Sequence, residues 1–174
     1  MPRIERISKI NKVNQNRFWS IILFLEWITN PHNLSAIIRT ADATWIPEIH
    51  YTYWYSSKQD QIYINQAIAR WANKWVALYK HSSSQQFLQS KKNNWYQIIV
   101  STLDNQSKQM YDINFTSKSV LVMWSEANWV SQNTLALASQ KVFIPMIWMV
   151  QSLNISVATW VLLYEIYRQN KYQK

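Results

Sequence analysis

Not one glycine occurs among 174 residues, while tryptophan occurs eleven times. Average usage would supply about twelve glycines in a chain of this length. Glycine reaches positive φ without a Cβ clash, so every left-handed turn and helix cap here falls to a residue that resists it. The tryptophans stand at such places. Trp45 follows a helical pattern over Asn33 to Thr44 and precedes Ile-Pro, where a left-handed cap is expected. Asn94-Trp95 and Asn128-Trp129 stand where Asn-Gly turns are expected. Either the tryptophans occupy glycine positions of the working protein, or they are exposed platforms on which bases stack. The second reading leaves the missing glycines unaccounted for.

Between the turns, strand-like and helix-like patterns alternate. Ser20 to Glu26 is an apolar run of the kind that fills the interior of a parallel sheet. The loop Ile28-Thr-Asn-Pro-His32 follows, and Asn33 opens a helix whose buried stripe is Leu34, Ile37, Ile38 and Ala41, with Arg39 off it. Further strands are read at 46–53, 75–80, 96–101, 119–123 and 141–144, with a polar, tyrosine-rich connection over 51–64. Helices are predicted at 62–71, at 83–92 behind a serine cap, and at 134–139. After an apolar loop with Pro145, Leu153, Val157, Val161 and Tyr164 recur at helical spacing, with Ser152 as the N-cap. Such alternation predicts an α/β fold with a parallel sheet and helices on both faces. Ligands in open sheets of this kind bind beyond the C-terminal ends of the strands.

Composition excludes several functions. With no cysteine there is neither a disulfide framework nor a thiolate nucleophile, and three scattered histidines argue against a metal site. The longest uninterrupted apolar run, Ile21 to Leu25, is too short to span a bilayer, and the N-terminus lacks a signal-peptide core, so no membrane partner and a cytoplasmic location are expected. Neither a Gly-rich phosphate loop nor a G-x-S-x-G elbow is present. Eighteen Lys and Arg against nine Asp and Glu give a formal charge of +9, which favours a polyanionic partner. Arg3, Arg6, Lys9, Lys12 and Arg17 crowd one end, and Arg168, Lys171 and Lys174 the other. Ile4, Ile7, Ile10 and Val13 recur between the first set, so residues 1–17 are read as a basic helical extension and 18–174 as one domain.

Three stretches carry a resemblance. Asn33-Leu-Ser-Ala-Ile-Ile-Arg-Thr-Ala41, Val120-Leu-Val-Met-Trp-Ser-Glu-Ala-Asn-Trp-Val130, and Pro145-Met146 with Met149-Val-Gln-Ser-Leu-Asn-Ile-Ser-Val-Ala158 occur in this order. Together they resemble the three motifs of the SpoU family of RNA 2′-O-ribose methyltransferases, in its TrmH branch. The resemblance implies a C-terminal trefoil knot, a homodimer and S-adenosyl-L-methionine as methyl donor. A knot runs against the general rule that chains do not thread loops. The positions matching the cofactor's backbone contacts are Ser101 or its neighbour Thr102, Trp124, Ile144 and Leu153. Arg39 matches the catalytic arginine, with Asn33 positioning it and Glu126, Ser152 and Asn154 completing the site. Trp124 and Trp148 fall where the family has glycine, so a bulky side chain there intrudes on the cofactor's space, whereas Trp75 has an aromatic counterpart in the TrmH branch.

A ribose hydroxyl attacks poorly until its proton is withdrawn, and methyl transfer to it needs in-line placement. A guanidinium stays protonated, so the resemblance is best served by Arg39 holding the neighbouring phosphate and stabilising the developing alkoxide. Residues 30–43, Asn-Pro-His-Asn-Leu-Ser-Ala-Ile-Ile-Arg-Thr-Ala-Asp-Ala, favour tRNA, at a guanosine of its D-loop. The alternatives are a methyltransferase for another RNA, such as rRNA, and a non-catalytic RNA-binding protein whose cofactor loop the tryptophans block.

Overall fold

The apolar run after Ser20 forms strand β1 (Ile21–Glu26), every residue of which is buried. Helix α1 (Pro31–Ala43) returns the chain to strand β2 (Glu48–Tyr51), which lies parallel to β1. Helix α2 (Gln66–Ala69) and a 3-10 turn at Ala72–Lys74 lead to β3 (Ala77–Lys80), and α3 (Ser84–Asn93) leads to β4 (Gln97–Ser101). A two-residue strand β5 (Lys108–Gln109), then β6 (Ser119–Trp124), α4 (Gln132–Leu137), β7 (Gln140–Phe143) and the long helix α5 (Ile155–Tyr172) complete the chain. The computed structural model describes Ser8 and residues 14–53, 63–124, 129–147, 149 and 152–172. The expected basic helix over 3–16 lies almost wholly outside the described residues, as do Glu126, Trp148 and most of the tyrosine-rich connection. Among the described residues, seven strands form one parallel sheet in the order β3-β2-β1-β6-β4-β7-β5.

Side chains alternate across a strand, so a wholly apolar strand must be covered twice. Ile21, Leu23 and Leu25 pack with Leu34, Ile37 and Ile38 of α1 and with Leu162, Leu163 and Ile166 of α5. Ile22 and Phe24 pack on the opposite face with Phe87 and Leu88 of α3, flanked by Leu135 and Leu137 of α4. The helices therefore lie on both faces, as the alternation of patterns predicts. His50 and His81, far apart in sequence, also meet on the second face, with ring nitrogens 2.7 Å apart and Phe87 beside both. Burial, with His50 and Lys91 adding to it, holds His81 below the ordinary histidine range. Among the described residues no group of three His, Asp or Glu is placed to hold a metal, and no helix is long and apolar enough to cross a membrane.

One reading is corrected. Asn154, not Ser152, caps α5: its Oδ1 accepts from Ser156 N at 2.9 Å and Ser156 Oγ at 2.6 Å. An amide oxygen placed two residues before a free N–H makes the same capping bond that serine would, and Ser152 is left upstream of the helix. Asn128 lies outside the described residues, and with it the turn expected at Asn128-Trp129.

The other turn tryptophans are left-handed. Trp45 (φ 65°) stands just past the α1 cap Thr44, and Trp95 (φ 65°) just past the α3 cap Asn94. Both ends carry the double hydrogen bond of a Schellman cap, Ile46 N to Ala41 O at 2.9 Å in one and Tyr96 N to Lys91 O at 3.1 Å in the other. The Trp95 side chain is 88% exposed, so it recovers little by packing. Trp95→Gly is expected to raise stability by about 1 kcal/mol, and thus Tm by roughly 2–4 °C. Trp95→Ala keeps the Cβ clash and should give no such gain, and thermal unfolding of the two variants checks the difference.

Candidate cofactor pocket and active site

The C-terminal ends of β4, β6 and β7 open into a cavity of about 560 Å³. Ser101 ends β4, Trp124 ends β6, and Phe143 with Ile144 ends β7; Ser152, Leu153, Ile155 and Ala158 close the opposite wall from the start of α5. All four positions expected to hold a cofactor, Ser101, Trp124, Ile144 and Leu153, thus line one cavity, together with Thr102 and Ser152. The strands deliver them because β4 lies between β6 and β7, bringing three loop starts to one edge. Thr102 N donates to Val142 O at 2.9 Å, which extends the β4–β7 junction by one residue into the wall. Beyond it the loop is tied back by Lys141 Nζ to Asp104 at 2.6 Å, a hydrogen bond that holds the Asp104 carboxyl below its ordinary value. The remaining wall is largely apolar, with Leu103, Met123 and Met146, so binding specificity here falls to the few backbone groups at the strand ends.

One of those groups is occupied. The Trp124 indole Nε1 donates to Ser101 O at 2.6 Å, and its ring stacks on Trp129 with centroids 5.2 Å apart. Two indoles therefore line the cavity, that of Trp129 largely exposed.

The first motif reaches the third through an amide pair. Asn30 caps α1, accepting from His32 N at 2.8 Å, and so fixes Asn33 in the first turn. Asn33 Oδ1 accepts from Asn154 Nδ2 at 3.3 Å. Asn33 and Asn154 are thus brought together, and Ser152 joins the cofactor positions. Arg39 is not brought into this group: it is exposed on α1, roughly 9 Å along the helix axis from Asn33, and outside the cavity lining. Glu126 lies outside the described residues.

Sequence reasoning missed Glu26. Its carboxylate, fully buried at the end of β1, accepts from Ser131 N at 3.1 Å, Ser131 Oγ at 3.0 Å and Thr134 Oγ1 at 2.7 Å. It therefore anchors the N-terminus of α4 and the far end of the segment that contains Glu126. The available signal was an acidic residue closing an otherwise apolar strand, since a buried carboxylate must find donors.

A model of the SpoU rRNA methylase family matches residues 20–164, across the sheet and every wall of the cavity. The chain belongs to the SpoU rRNA methylase family. Within it, the chain is 35% identical over 167 residues to a tRNA (guanosine(18)-2′-O)-methyltransferase of Aquifex aeolicus, covering 96% of this chain and 78% of that one. A crystal structure of the TrmH/SpoU tRNA modifying enzyme from A. aeolicus superposes with a TM-score of 0.89 at 34% identity, over 96% of this chain and 83% of that one. The SpoU methyltransferase AviRb of Streptomyces viridochromogenes, solved in complex with AdoMet, shares the fold at a TM-score of 0.72 and 22% identity, over 86% of this chain and 60% of that one. The family match spans the three strand ends and the start of α5 that wall the cavity.

Proposed function

We propose that this chain transfers a methyl group from S-adenosyl-L-methionine to a ribose 2′-hydroxyl of tRNA, at guanosine 18 of the D-loop. The observation that carries the reading is the convergence of Ser101, Trp124, Ile144, Leu153 and Ser152 on one cavity, in a chain 35% identical to an enzyme named for that reaction. When bound, S-adenosylmethionine supplies a methyl group on a positively charged sulfur, which departs as a neutral thioether as the ribose oxygen takes the carbon and releases its proton. Ser101, Ile144 and Leu153 would hold the adenosyl group by backbone contacts at the strand ends, in a wall that includes the apolar Leu103 and Met123. Arg39 grips the phosphate beside the target ribose and stabilises the oxygen as charge develops on it. Asn33, tied to Asn154, fixes the first turn of the helix that carries Arg39, and Glu126 and Ser152 complete the site.

The chain's organisation follows the same reading. Residues 1–17 form a basic extension for tRNA, and 18–174 the methyltransferase domain, working as a cytoplasmic homodimer. The C-terminal segment is threaded as a trefoil knot, as the resemblance of the three motifs implies. Gln169 fastens α5 to the connection between β5 and β6: its amide accepts from Phe115 N and donates to Ile113 O, both at 2.9 Å.

A second reading has its own observation. With the Trp124 indole on the Ser101 carbonyl, the protein as written would bind RNA without cofactor. Incubation of the native protein with unmodified tRNA and labelled S-adenosylmethionine, followed by mapping of 2′-O-methyl positions, separates these readings. The expected product is a single 2′-O-methylguanosine at position 18, matching the relative's name. Methylation confined to rRNA fragments, or tRNA binding without methylation, would overturn the proposal.

A further inference from the structure

We infer that the working protein carries glycine at positions 27, 45, 71, 95 and 124, where the sequence is written with tryptophan, because the source reads as glycine one of two triplets that are both rendered here as tryptophan. Two independent features of the structure point to these positions, one in the backbone and one in the cavity.

Five described residues have φ in the left-handed region: Trp27 at 57°, Trp45 at 65°, Arg70 at 50°, Trp71 at 67° and Trp95 at 65°. Tryptophan is eleven of 174 residues, yet it holds four of these five places. Non-glycine residues that enter this region are normally Asn or Asp, whose short polar side chains offset the clash locally; an indole has no such means. Asparagine was at hand and was not used. At the end of α3, Asn94 takes the cap position with φ −96° and leaves the left-handed place to Trp95. The two Schellman caps sharpen the point, since that motif asks for glycine at the one position where Trp45 and Trp95 stand. Trp71 follows Arg70 in a second consecutive left-handed step, and Trp27 makes the turn that leaves β1. Packing does not offset the clash at Trp71 and Trp95, which are 57% and 88% exposed.

The cavity gives the fifth position, and this half rests on the methyltransferase reading. Trp124 is not left-handed, so its backbone makes no demand; its side chain is what conflicts. The indole takes the Ser101 carbonyl at the end of β4, a backbone acceptor that a cofactor bound at the strand ends needs, and fills space between β6 and Trp129. Glycine at 124 frees that carbonyl and the volume in front of it. Trp75, at φ −119°, calls for no glycine. One substitution in decoding thus explains the left-handed indoles and the obstructed carbonyl, and restores five of the missing glycines.

Three measurements test the inference. Peptide mass spectrometry of the protein purified from its source should read glycine at 27, 45, 71, 95 and 124; tryptophan there overturns it. In the gene, those five positions should share one triplet and position 75 should carry the other; a mixture of triplets among the five overturns it. Made conventionally, Trp124→Gly should bind S-adenosylmethionine at least tenfold more tightly than the tryptophan form by calorimetry, and equal or weaker binding overturns the claim for the cavity. Failure here is separable from failure of the proposed function. A native protein that carries tryptophan and still methylates tRNA sinks the glycine inference alone, whereas one that carries glycine and leaves tRNA unmethylated sinks the methyltransferase reading alone.

Discussion

Arg39→Ala is expected to lower the rate of methyl transfer to tRNA by about 10²- to 10³-fold or more, the range found when a donor to a developing oxyanion is removed. Affinity for S-adenosylmethionine should change by less than about twofold, because Arg39 is outside the cavity lining and serves the nucleophile's side of the reaction. The fold should be unaffected: Arg39 is exposed on α1, and surface substitutions of this kind usually move stability by no more than about 0.5 kcal/mol. Arg39→Lys should restore little, since a point charge cannot reproduce the planar, two-pronged contact with phosphate. Single-turnover transfer and cofactor calorimetry on the same preparations separate the two effects. Turnover close to that of the unsubstituted protein would remove Arg39 from the site.

The sheet was legible because its interior strands are wholly apolar. β1, β4 and β6 are the runs Ile21–Leu25, Ile98–Val100 and Val120–Met123, and in each a covering helix on either face leaves no room for a polar residue. Strand β5 was not legible: Lys108 and Gln109 are both exposed at the sheet edge, so no periodicity marks them. The start of α3 was read from its serine cap, Ser83. The reading slipped where two capping residues compete, as Ser152 and Asn154 do, because either type makes the bond and only the geometry decides. The cofactor positions were found through motifs, and the cavity gathers all four of them. Glu26 was hidden because its partners Ser131 and Thr134 lie more than a hundred residues away, and no local pattern encodes such a contact. Among the tryptophans, Trp45 and Trp95 were legible from the helical pattern or asparagine before them. Trp27 has no such neighbour and Trp71 was read as the last residue of a helix over 62–71, which in fact stops at Ala69; it took the backbone to place both in the left-handed region.

Removing residues 1–16 is expected to weaken tRNA binding mainly by flattening its salt dependence. The segment holds Arg3, Arg6, Lys9 and Lys12 against Glu5, so its loss takes the formal charge from +9 to +6. The cut must stop short of Arg17, which is buried and donates to Asp42 at 3.0 Å and to the Ile46 carbonyl at 3.0 Å, tying the start of the domain to α1 and the turn that follows it. For every phosphate that the shortened chain no longer neutralises, the slope of log affinity against log salt should fall by about 0.7–0.9. If all four basic residues meet phosphate, the full chain should lose on the order of 10²-fold more affinity than the truncated one between about 50 and 200 mM salt. The gap should close as salt rises, because released counterions are the source of the difference. S-adenosylmethionine affinity should be the same in both forms, since the cavity is built wholly from Ser101 and residues after it. Parallel titrations of tRNA at several salt concentrations measure the slopes directly. Identical slopes would mean that the segment's charges do not touch RNA and that residues 1–16 serve the fold or a partner subunit instead.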